Sequence, residues 1–508
     1  MSLDRKESPS SERKDADILN ELEDQHEGHV NKNIARIAAL DKTPPEILAL
    51  SPEEKADLEK KLVRRIDTTV LPILMTMYIL NYLDRNNIAA ARLYGIVKDT
   101  GLVGTEYQTV ISVLFASYIG FQVPSNIIAS KLKYPGIYIN VMMAGWGIVS
   151  ACTAAAHNFH GLVVVRIFLG IFEAAFFPGA VYLLSCWYTK KELALRTAIL
   201  FSGSQLGNAF GTLIARGILT LDGTSGIAGW KWLFIIEGVL TVGLAIVFGI
   251  LLPNLPQTSY NWQFSKLQRD YAVYRLEVEA GDTEESVGGW TAFKMATTDI
   301  KTYFLMGILS LAYVAGAVNS FFPTVVATLG FSSNNTLLLT APPFLFCTLC
   351  MFFNGWHADR TNERTLHVAV PLLITIVSMI MAISSTSVGV RYTAMMLMPG
   401  SFYSAAIVTL TWISQSMPRP AQKRAVALAY INSFANTPNI WCSYLYQSHM
   451  GPRYLEAFVT NIIACGIAIV LAFGLRWYLK RENARMDRGE SVKDITPEMI
   501  AIGFRYKY

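Results

Sequence analysis

Runs of about 20 mostly apolar residues, the length a helix needs to cross a hydrocarbon core of ~30 Å, recur along the chain between short polar segments. They predict about twelve transmembrane helices, at roughly residues 69–91, 107–129, 137–156, 161–186, 195–218, 230–252, 302–322, 337–357, 367–386, 391–413, 425–447 and 455–479. The polar stretch 253–301 divides them six and six. The expected organisation is a polar tail over 1–67, a six-helix bundle over 68–252, a middle loop over 253–301, a second bundle over 302–479 and a tail over 480–508. Gly355-Trp356-His357-Ala358-Asp359-Arg360 has a positional counterpart in Pro124–Lys133, offset by about 230 residues, which predicts two parallel halves. The fold class is therefore all-α and integral to a membrane. Ahead of the first run, Ser51-Pro52-Glu53-Glu54 combines a serine N-cap, proline at N1 and glutamate at N3, and opens a surface helix to Arg65. The mixed Ser, Lys and Glu composition before it predicts disorder.

Charge orients the helices. Lys60, Lys61, Arg64 and Arg65 precede the first run; Lys131 and Lys133 follow the second, and Lys190, Lys191 and Arg196 the fourth. Arg360 and Arg364 follow the eighth run, and Arg419, Lys423 and Arg424 the tenth, whereas 156–160 and 330–335 are poor in Lys and Arg. The positive-inside rule then places both termini in the cytoplasm, and the plasma membrane is the expected location. The first sixty residues are too polar for a cleaved signal peptide, so the first apolar run is retained. Among 508 residues, 52% are hydrophobic and only 16% charged, and the net charge of +5 sits at helix ends rather than on one face, so it says little for nucleic acid and no nucleic-acid partner is expected. All six cysteines fall in or beside apolar runs and read as packing thiols; Cys347 and Cys350 form a C-x-x-C without a second ligand pair, so no metal is expected. The sequon Asn334-Asn335-Thr336 lies on a very short outer loop.

Four ionisable residues interrupt the apolar runs: Asp84 and Arg85 in the first, Arg166 and Glu173 in the fourth. Each costs roughly 2.5–3.5 kcal/mol at a helix centre on insertion scales, so each requires a reason. An internal aqueous cavity, where a carboxylate carries protons and an arginine holds an anion, supplies one. Arg166, Gly170 and Glu173 share one helical face, and Gly170 leaves room for a solute or a neighbouring helix. Asp84 and Arg85 point about 100° apart, so only one can aim squarely at the pore axis. Asp84 and Glu173 are the candidate proton sites, because burial and a nearby arginine shift a carboxyl in opposite directions. Arg85 and Arg166 are the candidate carboxylate clamps, since a guanidinium stays charged and binds bidentately. The alternative is a pair of ion bridges that merely fasten two helices, a poor return for their insertion cost. Glu237, near the end of the sixth run, reads as structural. In the second half, Asn432, Asn436, Asn439 and Ser443 form a polar stripe, either a hydrogen-bonding wall of the site or interhelical glue. Gly203, Gly207 and Gly211 form a close-packing ridge.

These segments resemble a known family. Tyr78-Ile79-Leu80-Asn81-Tyr82-Leu83-Asp84-Arg85-Asn86-Asn87, Arg166-Ile167-Phe168-Leu169-Gly170-Ile171-Phe172-Glu173 and Gly229-Trp230-Lys231-Trp232-Leu233-Phe234-Ile235-Ile236-Glu237-Gly238 resemble helices one, four and six of the anion:cation symporters of the major facilitator superfamily. Leu329-Gly330-Phe331-Ser332, Ala341-Pro342-Pro343, Lys423-Arg424-Ala425 and Pro452-Arg453-Tyr454 are similar to its fungal allantoate permease group. The resemblance covers about Leu62 to Arg481. It implies alternating access and proton-coupled import of a small organic anion, such as nicotinate, pantothenate, allantoate or another ureide, or a small peptide. It also implies substrate contacts at Tyr82, Tyr118 and Gln205, and gating at Asp359 and Arg360, which stand where the superfamily carries G-x-x-x-D-R. The first-half copy of that motif, Asn126–Lys133, lacks the aspartate. The glycine-proline signature of drug/proton antiporters is missing from the fifth run, which counts against export. The expected partners are the anion, protons and the bilayer, with no cofactor and a monomeric chain. The rivals are an exporter of the same superfamily and a nutrient sensor that binds without transport. No nucleophile–base set, metal cluster or phosphate loop points to an enzyme.

Overall fold

The computed structural model describes residues 44–281, 288–493, 495, 499–500 and 504–508. After a single helical turn over Pro45–Leu48, the first long helix, α1, runs unbroken over Pro52–Leu93, 42 residues, from a capping box in which Glu54 N–H donates to Ser51 Oγ at 3.2 Å and Ser51 N–H to Glu54 Oε2 at 2.8 Å. The expected surface helix and first span are thus one element, and the expected boundary at 67/68 falls inside it. The reason is a continuous apolar stripe: Leu62, Ile66, Val70, Leu71 and Leu74 are all buried, with no helix breaker between Arg65 and the first apolar run. Residues 1–43 of the expected tail lie outside the described residues.

The first bundle continues with α2 (Glu106–Lys131), α3 (Pro135–Cys152), α4 (Phe159–Glu173), α5 (Phe176–Ser185), α6 (Lys190–Leu219) and α7 (Gly229–Leu251). The fourth span is α4 and α5 together, interrupted at Ala174 and Ala175 directly after Glu173. Within the middle loop lie two helices, α8 (Lys266–Gly281) and α9 (Gly289–Thr297). The second bundle comprises α10 (Ile300–Gly316), α11 (Phe322–Ala327), α12 (Ser333–Thr361), α13 (Thr365–Ser384), α14 (Val388–Ser416), α15 (Ala421–Ala435), α16 (Pro438–Trp441) and α17 (Leu455–Asp487).

Ten stretches of the described residues are long and apolar enough to cross a membrane. The two other expected spans are present in different form. α6 is long, but Ser202, Ser204, Gln205 and Asn208 make it polar, and 425–447 breaks after Ala435 into α16 and a 3-10 turn over Cys442–Leu445. Both contribute to the twelve-span, two-bundle fold. α1 packs on α6 and α7, α3 on α7, and α2 on α4, while α12 lies against α6 across the bundles. At Gly207 an added Cβ would stand 2.8 Å from Tyr82 Cβ, so the glycine ridge of α6 serves its contact with α1.

Hydrogen bonds between the two bundles gather at one end. Tyr94 Oη donates to Asn334 Oδ1, Ser333 Oγ to the Leu93 carbonyl at 3.4 Å, and Gln108 Nε2 to the Tyr446 carbonyl at 3.2 Å, while Thr109 and Tyr444 hydroxyls meet at 3.0 Å. The opposite end carries the polar helix extensions. There the expected tail from residue 480 is integrated into the fold: α17 continues to Asp487, and Tyr506 exchanges backbone bonds with the Asn483 amide at 2.9 Å each way. Trp412 Nε1 donates to the Lys507 carbonyl at 3.0 Å.

Candidate functional site

α1 presents two polar faces at mid-membrane. Asn81 and Arg85, one turn apart, face α4 and α2, whereas Asp84 and Asn87 face α3 and α7. Arg85 Nε donates to Glu173 Oε2 at 2.6 Å, Arg85 Nη2 to Asn81 Oδ1 at 3.3 Å, and the guanidinium lies 4.6 Å from the Tyr118 ring centre and 5.2 Å from that of Tyr82. Glu173 Oε1 has no partner. It closes α4, which starts from Asn158 accepting the Gly161 N–H at 2.9 Å and buries Arg166, Leu169, Gly170 and Glu173 along one face. A Cβ on Gly170 would meet Ser117 Oγ at 2.1 Å, so this glycine makes room for α2 and leaves none for a solute.

Arg166 is 1% exposed and, among the described residues, makes one hydrogen bond, from Nη1 to the Arg85 carbonyl at 3.2 Å, while its Nε and Nη2 have no partner. A buried guanidinium with two unspent donors is costly to leave so and well suited to receive an anion. Beside it a cavity of about 10 Å³, the room of roughly one water, is lined by Arg85, Asn86, Phe115, Arg166 and, from the second bundle, Ser320. A neighbouring cleft of about 30 Å³ also spans both bundles, with Tyr82, Asn86 and Asn208 facing Asn319 and Phe344.

Asp84 takes no part in this cavity. It is fully buried behind α1, accepting Ser150 Oγ at 2.7 Å and Thr241 Oγ1 at 2.8 Å. Of the adjacent pair, Arg85 therefore holds the position toward the site. Gln205 is buried between the bundles, donating to Ser204 Oγ at 3.2 Å while its Oε1 faces the Cys347 thiol at 3.8 Å. Asn432 and Asn436 stand apart from the arginine cluster, at the break after α15. The Asn436 amide is spent on the Asn432 carbonyl at 2.8 Å and that of Asn439 on the Asn436 carbonyl at 3.3 Å, so the stripe does not continue as one regular helix face. The gating candidates Asp359 and Arg360 have separate partners. Asp359 Oδ1 accepts Arg364 Nη2 at 2.5 Å, Arg364 Nε donates to Gln415 Oε1 at 3.0 Å, and Arg360 lies over the Trp356 ring. Arg364 starts the next helix and is buried, which lets it hold the end of α12 against α14.

Other residues reach the site without a sequence signal of their own. Tyr313 lies within electrostatic range of Tyr82 and Tyr118, and Tyr403 of Tyr82 and Gln205. Each shares an apolar run with other aromatics, Tyr303 and Phe304 before Tyr313 and Phe402 before Tyr403, and is indistinguishable there from packing. Asn86, which donates to Asn208 Oδ1 at 2.6 Å, was signalled by its place directly after Asp84-Arg85.

The family model of the Major Facilitator Superfamily matches residues 74–440. The MFS-type transporter cnsO of Penicillium expansum is 31% identical over 453 residues, covering 86% of each chain. The major facilitator-type transporter hxnP of Emericella nidulans is 29% identical over 459 residues, 87% of this chain and 90% of that one. Among solved structures, a bacterial homologue of the human lysosomal transporter Spinster, in an inward-facing and unoccupied conformation, aligns with a TM-score of 0.64 at 17% identity over 79% of this chain and 95% of its own. At that identity the likeness is one of fold.

Proposed function

The chain belongs to the major facilitator superfamily, and we propose that it is a proton-coupled symporter importing a small organic anion by alternating access. One observation carries this reading: the buried, under-bonded Arg166 beside a cavity whose other guanidinium, Arg85, is held by a single carboxylate. Ionised Glu173 competes with a substrate carboxylate for Arg85. Protonation of Glu173 releases Arg85, and an incoming carboxylate then engages Arg85 and Arg166 together. Loss of the proton restores the Arg85–Glu173 pair and expels the anion, so proton and substrate move as a unit. Tyr82 and Tyr118 wall the clamp, Gln205 lines its interbundle side, and Asn432 and Asn436 lie farther along the path. A second proton site lies behind α1, at the carboxylate cluster that holds Asp84, and Asp359 with Arg364 secures the gate.

With Lys- and Arg-rich ends cytoplasmic, the latched end at Tyr94 and Asn334 faces outward. A plasma-membrane location fits import. The test is uptake of labelled small carboxylates by proteoliposomes under an imposed pH gradient. Acid outside should drive accumulation that a protonophore collapses. Gradient-driven efflux against proton entry would identify an exporter, and binding without flux a sensor; either overturns the symport reading.

A further inference from the structure

We propose that Glu237, rather than Asp84, carries the proton of the site behind α1, on its Oε1 atom; this rests on the symport reading above. The two carboxylates occupy one buried interface. Glu237 is 1% exposed and accepts Asn87 Nδ2 at 2.7 Å on Oε2, while its Oε1 has no partner among the described residues. Asp84, one turn from Asn87 on α1, accepts two hydroxyls. Next to them α3 and α7 approach too closely for water: a Cβ on Gly238 would lie 2.6 Å from the Gly147 carbonyl and 2.6 Å from Ala151 N.

The charged groups around the pair leave Glu237 without a counter-ion. The group acting on Glu237 is Asp84, of like sign. Asp84 also feels Glu173 and Arg166 from α4. α3 contributes Trp146 and Ser150, which do not ionise, and the turn Thr153–Ala155 contributes no titratable side chain. Arg216 of α6 acts on Tyr94. Two desolvated carboxylates in such proximity cannot both be ionised, so one proton resides in the pair. Their surroundings assign it. Asp84, with a hydroxyl donor on each oxygen and a guanidinium across α1, is built for charge. Glu237, with one amide donor and a bare oxygen, is built for the acid form, and Oε1 is where the hydrogen sits. Because Asp84 and Asn87 both ride on α1, a shift of that helix between states changes both contacts of the pair at once.

Glu237→Gln keeps the shape and the neutral charge of the acid. In proteoliposomes clamped at zero potential it should still exchange labelled for unlabelled carboxylate. Its accumulation ratio under a one-unit pH gradient should fall about tenfold, the equivalent of one coupled proton. An unchanged ratio and pH profile would make Glu237 structural and overturn the inference. A wild-type protein showing no gradient-driven uptake would instead remove the symport reading, and this inference with it. Should the variant fail to fold, infrared spectra decide: a protonated-carboxyl band at neutral pH that persists in Glu173→Gln and shifts in Asn87→Ala is expected, and a band insensitive to Asn87→Ala overturns the assignment.

Discussion

Arg85 and Glu173 face each other across α1 and α4 with Nε and Oε2 2.6 Å apart, Glu173 fully buried and the Arg85 side chain 9% exposed. Removing one partner of such a pair strands a charge, so the pair persists only if something else takes its place when it opens. Glu173→Gln imitates the protonated state permanently. It should abolish accumulation driven by a pH gradient while retaining counterflow exchange of bound anion. Equal loss of both, measured in the same proteoliposomes, would remove Glu173 from the coupling step.

Arg166 offers donors that none of the described residues uses. Truncation to alanine should weaken carboxylate binding by about tenfold or more, since a hydrogen bond to a charged group contributes roughly 1.5–3 kcal/mol. Arg166→Lys should recover only part of this, because an ammonium lacks the bidentate fork. Ligand-induced thermal shifts of purified protein measure both, and wild-type affinity in Arg166→Ala would exclude it from the site.

The closed end hangs on a few neutral contacts. Combining Gln108→Ala with Asn334→Ala removes two of them, each worth about 0.5–1.5 kcal/mol. The population should move severalfold toward the state open at that end. Alkylation of a Ser320→Cys variant by a membrane-impermeant reagent from that side should accelerate accordingly; an unchanged rate would show that packing alone keeps the end shut.

Asp299, just ahead of α10, accepts Lys423 Nζ at 2.6 Å and lies 3.5 Å from Lys301 Nζ, with both lysines buried. Burial opposes the Asp299 charge, but the Lys301 and Lys423 ammoniums outweigh it and hold the carboxyl below its ordinary range. The sign follows: its stabilisation is complete above the ordinary carboxylate range and disappears as pH falls through the lowered value. Asp299→Asn should cost about 3–5 kcal/mol at neutral pH. It should also flatten the acid limb of a plot of melting temperature against pH, and an unaltered profile would contradict this assignment.

Much of the architecture is legible in the run lengths, because lipid forces a helix wherever about 20 apolar residues occur. The fold departs from that reading where polarity and local chemistry compete. α6 carries its polar residues toward α1 and α12, and Asn436 with Pro438 breaks what the run 425–447 presents as one span. Of the site, the charged four were visible because a bilayer penalises them. Their directions were not: adjacency shows that Asp84 and Arg85 diverge, yet only the hydroxyls of Ser150 and Thr241 show which one turns inward. Arg364 escaped as the partner of Asp359 because it belongs to the next helix. Glu237 read as structural because an isolated acid near a helix end says nothing about which oxygen goes unpaired.

The unbroken first helix has a mechanical consequence. At 1.5 Å per residue its 42 residues reach about 63 Å, roughly twice the oily layer it crosses. Its protruding part holds Arg196 through Asp67 and Arg275 through Glu59. A tilt at Arg85 therefore acts as a lever on the polar apparatus beyond the headgroups, and a fluorophore on the exposed Lys61 would register turnover far from the solute.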